Sequence, residues 1–64
     1  MEYRIREERE AAGMSQEELA KNAGVSRTII SGLESGRIKI TTTETLQKIA
    51  GALNKRITDI FFDD

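Results

Sequence analysis

Residues 16–35 read QEELAKNAGVSRTIISGLES and contain two short helical patterns joined by a turn with one glycine. Ser15 and Glu18 stand three residues apart, the spacing at which each side chain accepts a hydrogen bond from the other residue's backbone N–H at a helix start. Gly24 suits the positive φ with which a chain leaves a helix sharply, and Ser26 is a favourable N-cap for the next helix. These residues predict a helix-turn-helix at about residues 16–35.

The apolar residues of the same segment have the spacing of buried helix faces. Leu19 and Ala23 lie four residues apart, and Ile30 and Leu33 lie three apart, so each pair occupies one face of its helix. An ordinary helical corner with polar residues towards solvent would account for part of this pattern. The full combination favours a helix-turn-helix that binds double-stranded DNA; the alternative is a protein-binding helix-turn-helix module, antitoxin-like or a co-regulator.

Beyond this segment, the chain resembles the phage-repressor-like family of Cro/cI, or Xre, type. The resemblance extends from residue 5 to residue 61 and rests on IREEREAAGMSQEELAKNAGVSRTIISGLESGR, followed by TLQKIAGALN and DIFF. It implies an all-α fold, a compact bundle of about five short helices like the lambda repressor DNA-binding domain, with the second and third helices forming the helix-turn-helix. It also implies a dimeric transcriptional regulator, such as a repressor, that acts on an operator with two-fold symmetry.

The composition restricts the chemistry available to the chain. Its 64 residues suffice for a single domain, residues 1–64, near the lower limit at which a hydrophobic core alone sustains a fold. Cysteine and histidine are absent, which removes disulfides, thiolate chemistry, imidazole bases and the usual zinc ligands. We therefore expect no metal, no cofactor and no small-molecule ligand. An enzyme is not expected either, since so short a chain offers little room for a substrate pocket.

The hydropathy pattern favours a cytoplasmic protein. No stretch approaches the roughly 20 apolar residues of a membrane span. Residues 1–10, MEYRIREERE, are too polar for the apolar part of a signal peptide. We therefore expect no membrane partner.

Positive charge is concentrated in the middle of the chain. The formal net charge is −1, whereas nucleic-acid-binding proteins are often basic. Residues 21–43 nevertheless carry +3. The charged residues of this segment are Lys21, Arg27, Arg37 and Lys39 against the single acid Glu34. A basic face is one interpretation, and a solvated mixture of charges is the alternative.

The second helix of such a motif enters the major groove with its N-terminal residues at the base edges. Those residues are Arg27, which can form two hydrogen bonds with one guanine, and Thr28, whose methyl group can contact thymine. Ser31 is a weaker candidate for a base contact. The resemblance implies that Gln16, at the start of the preceding helix, contacts the DNA backbone or an outer base pair. We expect phosphate contacts from the hydroxyl and basic residues around the motif, namely Ser15, Ser26, Ser35, Arg37 and Lys39.

In the family that the chain resembles, the second helix of the helix-turn-helix commonly has a polar surface. Two residues of this helix depart from that pattern. Gly32 stands where a long polar side chain is frequent, and it allows either a close approach of the backbone to DNA or fewer base contacts. Ile29 either contacts thymine methyl groups or is simply exposed. The resemblance also places Arg9 beside Glu34 in a structural ion pair, which removes Glu34 from the DNA contacts.

The remaining helices are predicted from caps and apolar spacing. We expect the first helix to cover residues 3–12 and Thr58 to cap a short C-terminal turn. In the fourth helix, apolar residues recur at the i, i+3, i+4 and i+7 positions, which are Leu46, Ile49, Ala50 and Leu53. This stripe is predicted to be core.

The C-terminal segment, residues 55–64, has four apolar residues close together: Ile57, Ile60, Phe61 and Phe62. In one interpretation, Ile57, Ile60 and Phe61 pack within the monomer and Phe62 stays partly exposed. In the other, members of this group form the interface of a homodimer. The resemblance favours the homodimer, and we predict it.

Overall fold

A computed structural model describes residues 2–62, and the side chains of residues 3–61. Within that range the chain forms five α-helices. They are α1 (Ile5–Ala11), α2 (Gln16–Ala23), α3 (Arg27–Ser35), α4 (Thr43–Ala52) and α5 (Ile57–Ile60). The structure thus confirms the all-α bundle of five short helices. None of the helices in the described range is long and apolar enough to cross a bilayer.

The corner between α2 and α3 has the predicted geometry. The backbone N–H of Glu18 donates to Ser15 Oγ at 3.0 Å, and the Ser15 N–H donates to Glu18 Oε1 at 3.0 Å. These bonds lower the pKa of Glu18, the bond from the Ser15 backbone most of all. Gly24 ends α2 in the left-handed region with φ +70°, and Ser26 Oγ accepts the Ile29 N–H at the start of α3. The helix-turn-helix is confirmed.

Two ends of the predicted helices were placed wrongly. The first helix begins at Ile5, not at residue 3, because residues 2 and 3 form a short strand, β1 (Glu2–Tyr3). Strand β1 pairs antiparallel with β2 (Phe61–Phe62), with Glu2 opposite Phe62 and Tyr3 opposite Phe61. The two ends of the described chain therefore lie side by side.

The start of α5 also differs from the prediction. Thr58 lies inside this helix, which begins at Ile57. The side chain that caps it belongs to Asp59, whose Oδ2 accepts the Arg56 N–H at 2.9 Å. Asp59 lies three residues after Arg56, in the first turn of the helix. Its side chain therefore accepts the N–H of the residue before the helix, as the second residue of a capping box does.

The core takes one fully buried side chain from each helix. These residues are Ile5, Leu19, Ile30, Ile49 and Ile60. The predicted stripe of α4 is buried as well, with Leu46, Ala50 and Leu53 at 6% exposure or less. Helix α2 packs against both α3 and α4, so α3 lies at the side of the bundle with its other face towards solvent.

Candidate nucleic-acid interface

The N-terminal end of α3 presents polar side chains to solvent. Ile30 and Leu33 point into the core, and this fixes the rotation of the helix about its axis. Arg27 and Thr28 are consequently exposed, and Ser31, one turn further on, is half-buried. The residues predicted to read bases therefore occupy the accessible face of the helix.

Three of these residues share one surface depression with an arginine from the following loop. The depression has a volume of about 350 Å³ and is lined by Arg27, Thr28, Ser31 and Arg37. Arg37 follows Gly36, which ends α3 in the left-handed region with φ +82°. The Arg37 guanidinium turns back along the helix, where Nη2 donates to Ser31 Oγ at 3.2 Å and Nε donates to Ser35 Oγ at 3.1 Å. Two guanidinium groups thus stand beside two hydroxyl groups, a set that suits a polar, negatively charged ligand.

The three serines predicted to contact phosphate are not equivalent. Ser15 and Ser26 each accept a backbone N–H as helix caps, and an accepting hydroxyl can still donate its own proton. The Ser35 hydroxyl donates to the Gly32 carbonyl at 3.3 Å and accepts from Arg37. Ser35 would have to give up the bond to Gly32 before its proton could reach a phosphate.

Gln16 and Lys39 lie outside the depression. Gln16 is half-buried, and its Nε2 donates to Glu34 Oε1 at 3.1 Å. The side-chain amide is therefore anchored to the protein, while its carbonyl oxygen keeps its capacity to accept a hydrogen bond. Lys39 is exposed in the α3–α4 loop, residues 36–42.

Arg9 and Glu34 lie together, as the resemblance implies. Arg9 Nε donates to Glu34 Oε2 at 2.7 Å and Arg9 Nη2 donates to Glu34 Oε1 at 3.1 Å, a two-point contact. The Glu34 side chain is fully buried and that of Arg9 is 12% exposed. Arg9 Nη1 also donates to the Met14 carbonyl at 2.8 Å, so the pair joins α1 to α3 and to the turn before α2.

The electrostatics of this cluster keep Glu34 ionised. Burial by itself would raise the pKa of Glu34, but hydrogen bonds from Arg9, Gln16 and Arg6, together with the charge of Arg9, outweigh burial and lower the pKa. The hydrogen bond to Glu34 in turn raises the pKa of Arg9. Sequence reasoning missed Arg6, whose Nε lies 3.4 Å from Glu34 Oε1. The sequence could have predicted this contact, because Arg6 precedes Arg9 by three residues and the two therefore lie on one face of the helix.

The expectation that Gly32 lets the backbone approach DNA closely requires correction. Gly32 is buried, and the Ile38 side chain from the α3–α4 loop covers it. A methyl group at Gly32 would overlap Ile38 Cδ1 and would lie 2.6 Å from Ile38 Cγ1. The Ile38 N–H also donates to the Gly32 carbonyl at 2.9 Å. The glycine admits a neighbouring side chain of the same molecule and leaves no room there for DNA.

Ile29 likewise differs from the expectation of an exposed residue. It is half-buried and packs against the core. Among the side chains that the structure describes, the exposed large apolar one belongs to Ile40 of the α3–α4 loop, at 82%. Next to it, the Lys39 carbonyl accepts a hydrogen bond from the Tyr3 hydroxyl at 2.9 Å. The residues around Lys39 in the sequence do not predict this contact.

The C-terminal apolar residues are divided between core and surface. Ile60 is fully buried within the monomer and therefore cannot form part of a dimer interface in this conformation, which corrects that assignment. Ile57 and Phe61 are half-buried. The Phe61 ring lies 5.8 Å from the Tyr3 ring between centroids. The side chain of Phe62 lies outside the part of the chain that the structure describes.

The chain is similar to known proteins in both sequence and structure. The family described as Helix-turn-helix (HTH_3) matches residues 5–60. An "Uncharacterized HTH-type transcriptional regulator" of Archaeoglobus fulgidus is 49% identical over 65 residues, which covers 100% of this chain and 91% of the relative. The crystal structure of the restriction-modification controller protein C.AhdI from Aeromonas hydrophila aligns with TM-score 0.83 and 36% identity, over 91% of this chain and 86% of that one. The clp gene regulator ClgR from C. glutamicum aligns with TM-score 0.75 and 34% identity, over 86% and 70% of the two chains.

Proposed function

Since the chain belongs to the helix-turn-helix family of Cro/C1 type, whose members are DNA-binding transcriptional regulators, we propose that it is a repressor that binds a two-fold symmetric operator as a homodimer in the cytoplasm. The observation that carries this proposal is the depression at the N-terminal end of α3, where Arg27, Thr28, Ser31 and Arg37 meet. The relatives named above are regulators by name, so our proposal includes no enzymatic activity.

In the proposed complex, the exposed end of α3 enters the major groove. Arg27 donates two hydrogen bonds to the O6 and N7 of a guanine, and Thr28 contacts a neighbouring base through its hydroxyl or methyl group. Ser31 is the third base contact on this face. Gln16 reaches the backbone or an outer base pair through its free carbonyl oxygen, because its amide nitrogen is held by Glu34.

Phosphate contacts surround this reading face. Arg37 and Lys39 provide the charge, Ser15 and Ser26 donate from the helix caps, and Ser35 contributes after release from Gly32. Residues 21–43 contain four exposed cations, Lys21, Arg27, Arg37 and Lys39. The one acid of this segment, Glu34, has its side chain fully buried against Arg9. A basic face is therefore compatible with the net charge of −1, and in our proposal it supplies the attraction to DNA that depends on salt.

The size of the molecule supports a dimer. The Cα atoms extend 28 Å along the longest axis and each chain presents one α3, whereas two half-sites on one side of the duplex are separated by about 34 Å. One subunit can therefore read one half-site only. In our proposal, Ile57, Phe61 and Phe62 of the C-terminal segment cover each other in the two subunits, whereas Ile60 remains in the core of each.

Selection from a pool of random duplexes, combined with the mass of the protein in solution, tests this function. We expect enrichment of a sequence with two-fold symmetry and a mass of two chains per duplex. Binding should weaken steeply as salt rises, because counterions are released from each contacted phosphate. If no duplex is enriched at low salt, the protein-binding helix-turn-helix module is favoured instead.

Two arginine variants separate base reading from phosphate binding. We expect Arg27→Ala to cost about 1–3 kcal/mol and to relax the preference at one base position in each half-site. Arg37→Ala is the matched control, because it should weaken binding to all duplexes by a similar factor and leave the preference unchanged. A uniform loss for Arg27→Ala would instead assign Arg27 to a phosphate.

A further inference from the structure

The α3–α4 loop carries two of the proposed phosphate contacts without regular secondary structure of its own. Arg37 and Lys39 both lie in it, together with the exposed Ile40. A flexible loop would have to become ordered when it met the DNA backbone, and the lost conformational entropy would reduce the affinity. The contacts that hold this loop in the free protein therefore bear on DNA binding.

Several contacts hold the loop, and one of them comes from a distant part of the chain. The Ile38 N–H donates to the Gly32 carbonyl at 2.9 Å, and the Thr42 side chain accepts the Thr45 N–H at 3.1 Å as the cap of α4. Both of these contacts are local. The long-range contact is made by the Tyr3 hydroxyl, which donates to the Lys39 carbonyl at 2.9 Å across 36 residues of sequence.

Tyr3 contacts the other end of the described chain. Its strand pairs with β2, with Tyr3 opposite Phe61, and the two rings lie 5.8 Å apart at an angle of 36°. The next residue, Arg4, donates its N–H to the Ile60 carbonyl at 2.7 Å. Burial raises the pKa of Tyr3 above 10.0, so the hydroxyl keeps its proton near neutral pH. The tyrosine therefore connects the strand pair to the middle of the loop.

We propose that Tyr3 is a positioning residue for DNA binding, which fixes the backbone at Lys39 and so holds the basic loop in the conformation that meets phosphates. The proposal rests on the proposed function and adds a residue that does not touch DNA. It also connects the basic loop to the C-terminal segment, because the Tyr3 ring packs on Phe61. Loss of the hydroxyl frees the loop and leaves the ring contact intact.

The Tyr3→Phe variant of the full chain tests this assignment. Affinity is measured by fluorescence anisotropy with the duplex selected for the wild-type protein. We expect Kd to rise about three- to tenfold, the effect of one lost hydrogen bond of ordinary strength. Base preference and dimer mass should not change. An unchanged Kd would overturn the proposal.

A double-variant cycle with Lys39→Gln shows whether Tyr3 acts through the loop. Lys39→Gln should weaken binding, whereas Lys48→Gln, a matched exposed lysine on α4, should not. Because the tether acts partly through Lys39, Tyr3→Phe should cost less in the Lys39→Gln background than in the wild type. Equal losses in the two backgrounds would assign the effect to general destabilisation and would contradict the proposal.

A measurement on the free protein completes the test. The ¹⁵N order parameters of residues 37–41 should fall in Tyr3→Phe, while those of α2 and α3 stay at wild-type values. Unchanged order in the loop would contradict the tether even if the variant had lost stability. If the wild-type protein bound no duplex at all, the proposed function would fail; if it bound and Tyr3→Phe bound equally well, only the role of Tyr3 would fail.

Discussion

Glu34 combines complete burial of its carboxylate with hydrogen bonds from three side chains: Arg6, Arg9 and Gln16. A buried charge is costly unless it is paired, and removal of one partner leaves the other uncompensated. Two helices, α1 and α3, depend on this one acid for their relative position. Single substitutions in this cluster should therefore have effects of very different size, according to how much each partner is buried.

We expect Arg9→Ala to lower the free energy of unfolding by about 3–5 kcal/mol, enough to unfold a domain of this size or nearly so. Urea denaturation followed by circular dichroism measures the change. Arg6→Ala is the matched control on the same helix face: Arg6 is 53% exposed, so its loss should cost less than about 1 kcal/mol. A folded Arg9→Ala protein with the wild-type melting curve would contradict the structural role of the pair.

Stability should also depend on pH through Glu34. Its pKa in the folded protein lies below the ordinary value of 4.5, so its stabilising contribution is fully present above that pH and is lost as the pH falls through the folded pKa. The wild-type protein should exceed Glu34→Gln in free energy of unfolding by a constant amount from about pH 7 to about pH 5. The difference should shrink below pH 4.5; a difference that stayed constant in acid would refute this role.

At the scale of the elements, two glycines within helices occupy opposite environments. Gly51 lies in α4, and a methyl group there would meet open space, whereas a methyl group at Gly32 of α3 would overlap Ile38. Alanine stabilises a helix interior by about 1 kcal/mol relative to glycine. We therefore expect Gly51→Ala to gain up to that amount, and Gly32→Ala to gain nothing or to lose stability because Ile38 must move. Chemical denaturation of both variants provides the comparison, and an equal gain at the two sites would contradict the packing of Ile38.

The elements also show what the sequence can predict. The capping box at Ser15, the left-handed Gly24 and the apolar stripe of α4 were predictable because each depends on residues within one or two turns. The first helix started later than predicted because β1 pairs with a strand from the other end of the chain. Contacts of that kind have no periodic signature in a single sequence.

In the candidate site too, the sequence predicts the local features but not the contacts between separate elements. Arg27 and Thr28 were predictable as exposed residues of α3, because the inward direction of Ile30 and Leu33 determines the outer face. The covering of Gly32 by Ile38 and the anchoring of Gln16 on Glu34 were not predictable, since both involve side chains from separate elements. The role of a residue such as Tyr3 depends entirely on such long-range contacts.

For the whole molecule, the proposed dimer makes the spacing of the half-sites testable. Five additional base pairs rotate one half-site to the opposite side of the duplex, whereas ten or eleven restore the side but add a full turn of distance. We expect affinity to fall to that of a single half-site with five added pairs, because a rigid dimer cannot reach both sides. Electrophoretic mobility shifts with the spaced duplexes measure this. Equal binding to all spacings would indicate independent subunits and contradict the dimer.

The pairing of β1 with β2 has a consequence for folding. The main helix contacts join each helix to the next one in the chain or to the one after it. The strand pair instead closes a loop of almost the entire described chain for only two residues in each strand, and closure entropy grows with the length of the loop. We therefore expect the strand pair to form last during folding and to open first in the native state, with faster amide exchange than the hydrogen-bonded amides of the helices. Each such opening would also release the Tyr3 hydroxyl from the Lys39 carbonyl. The rate at which the strand pair opens would then determine how often the basic loop loses this contact.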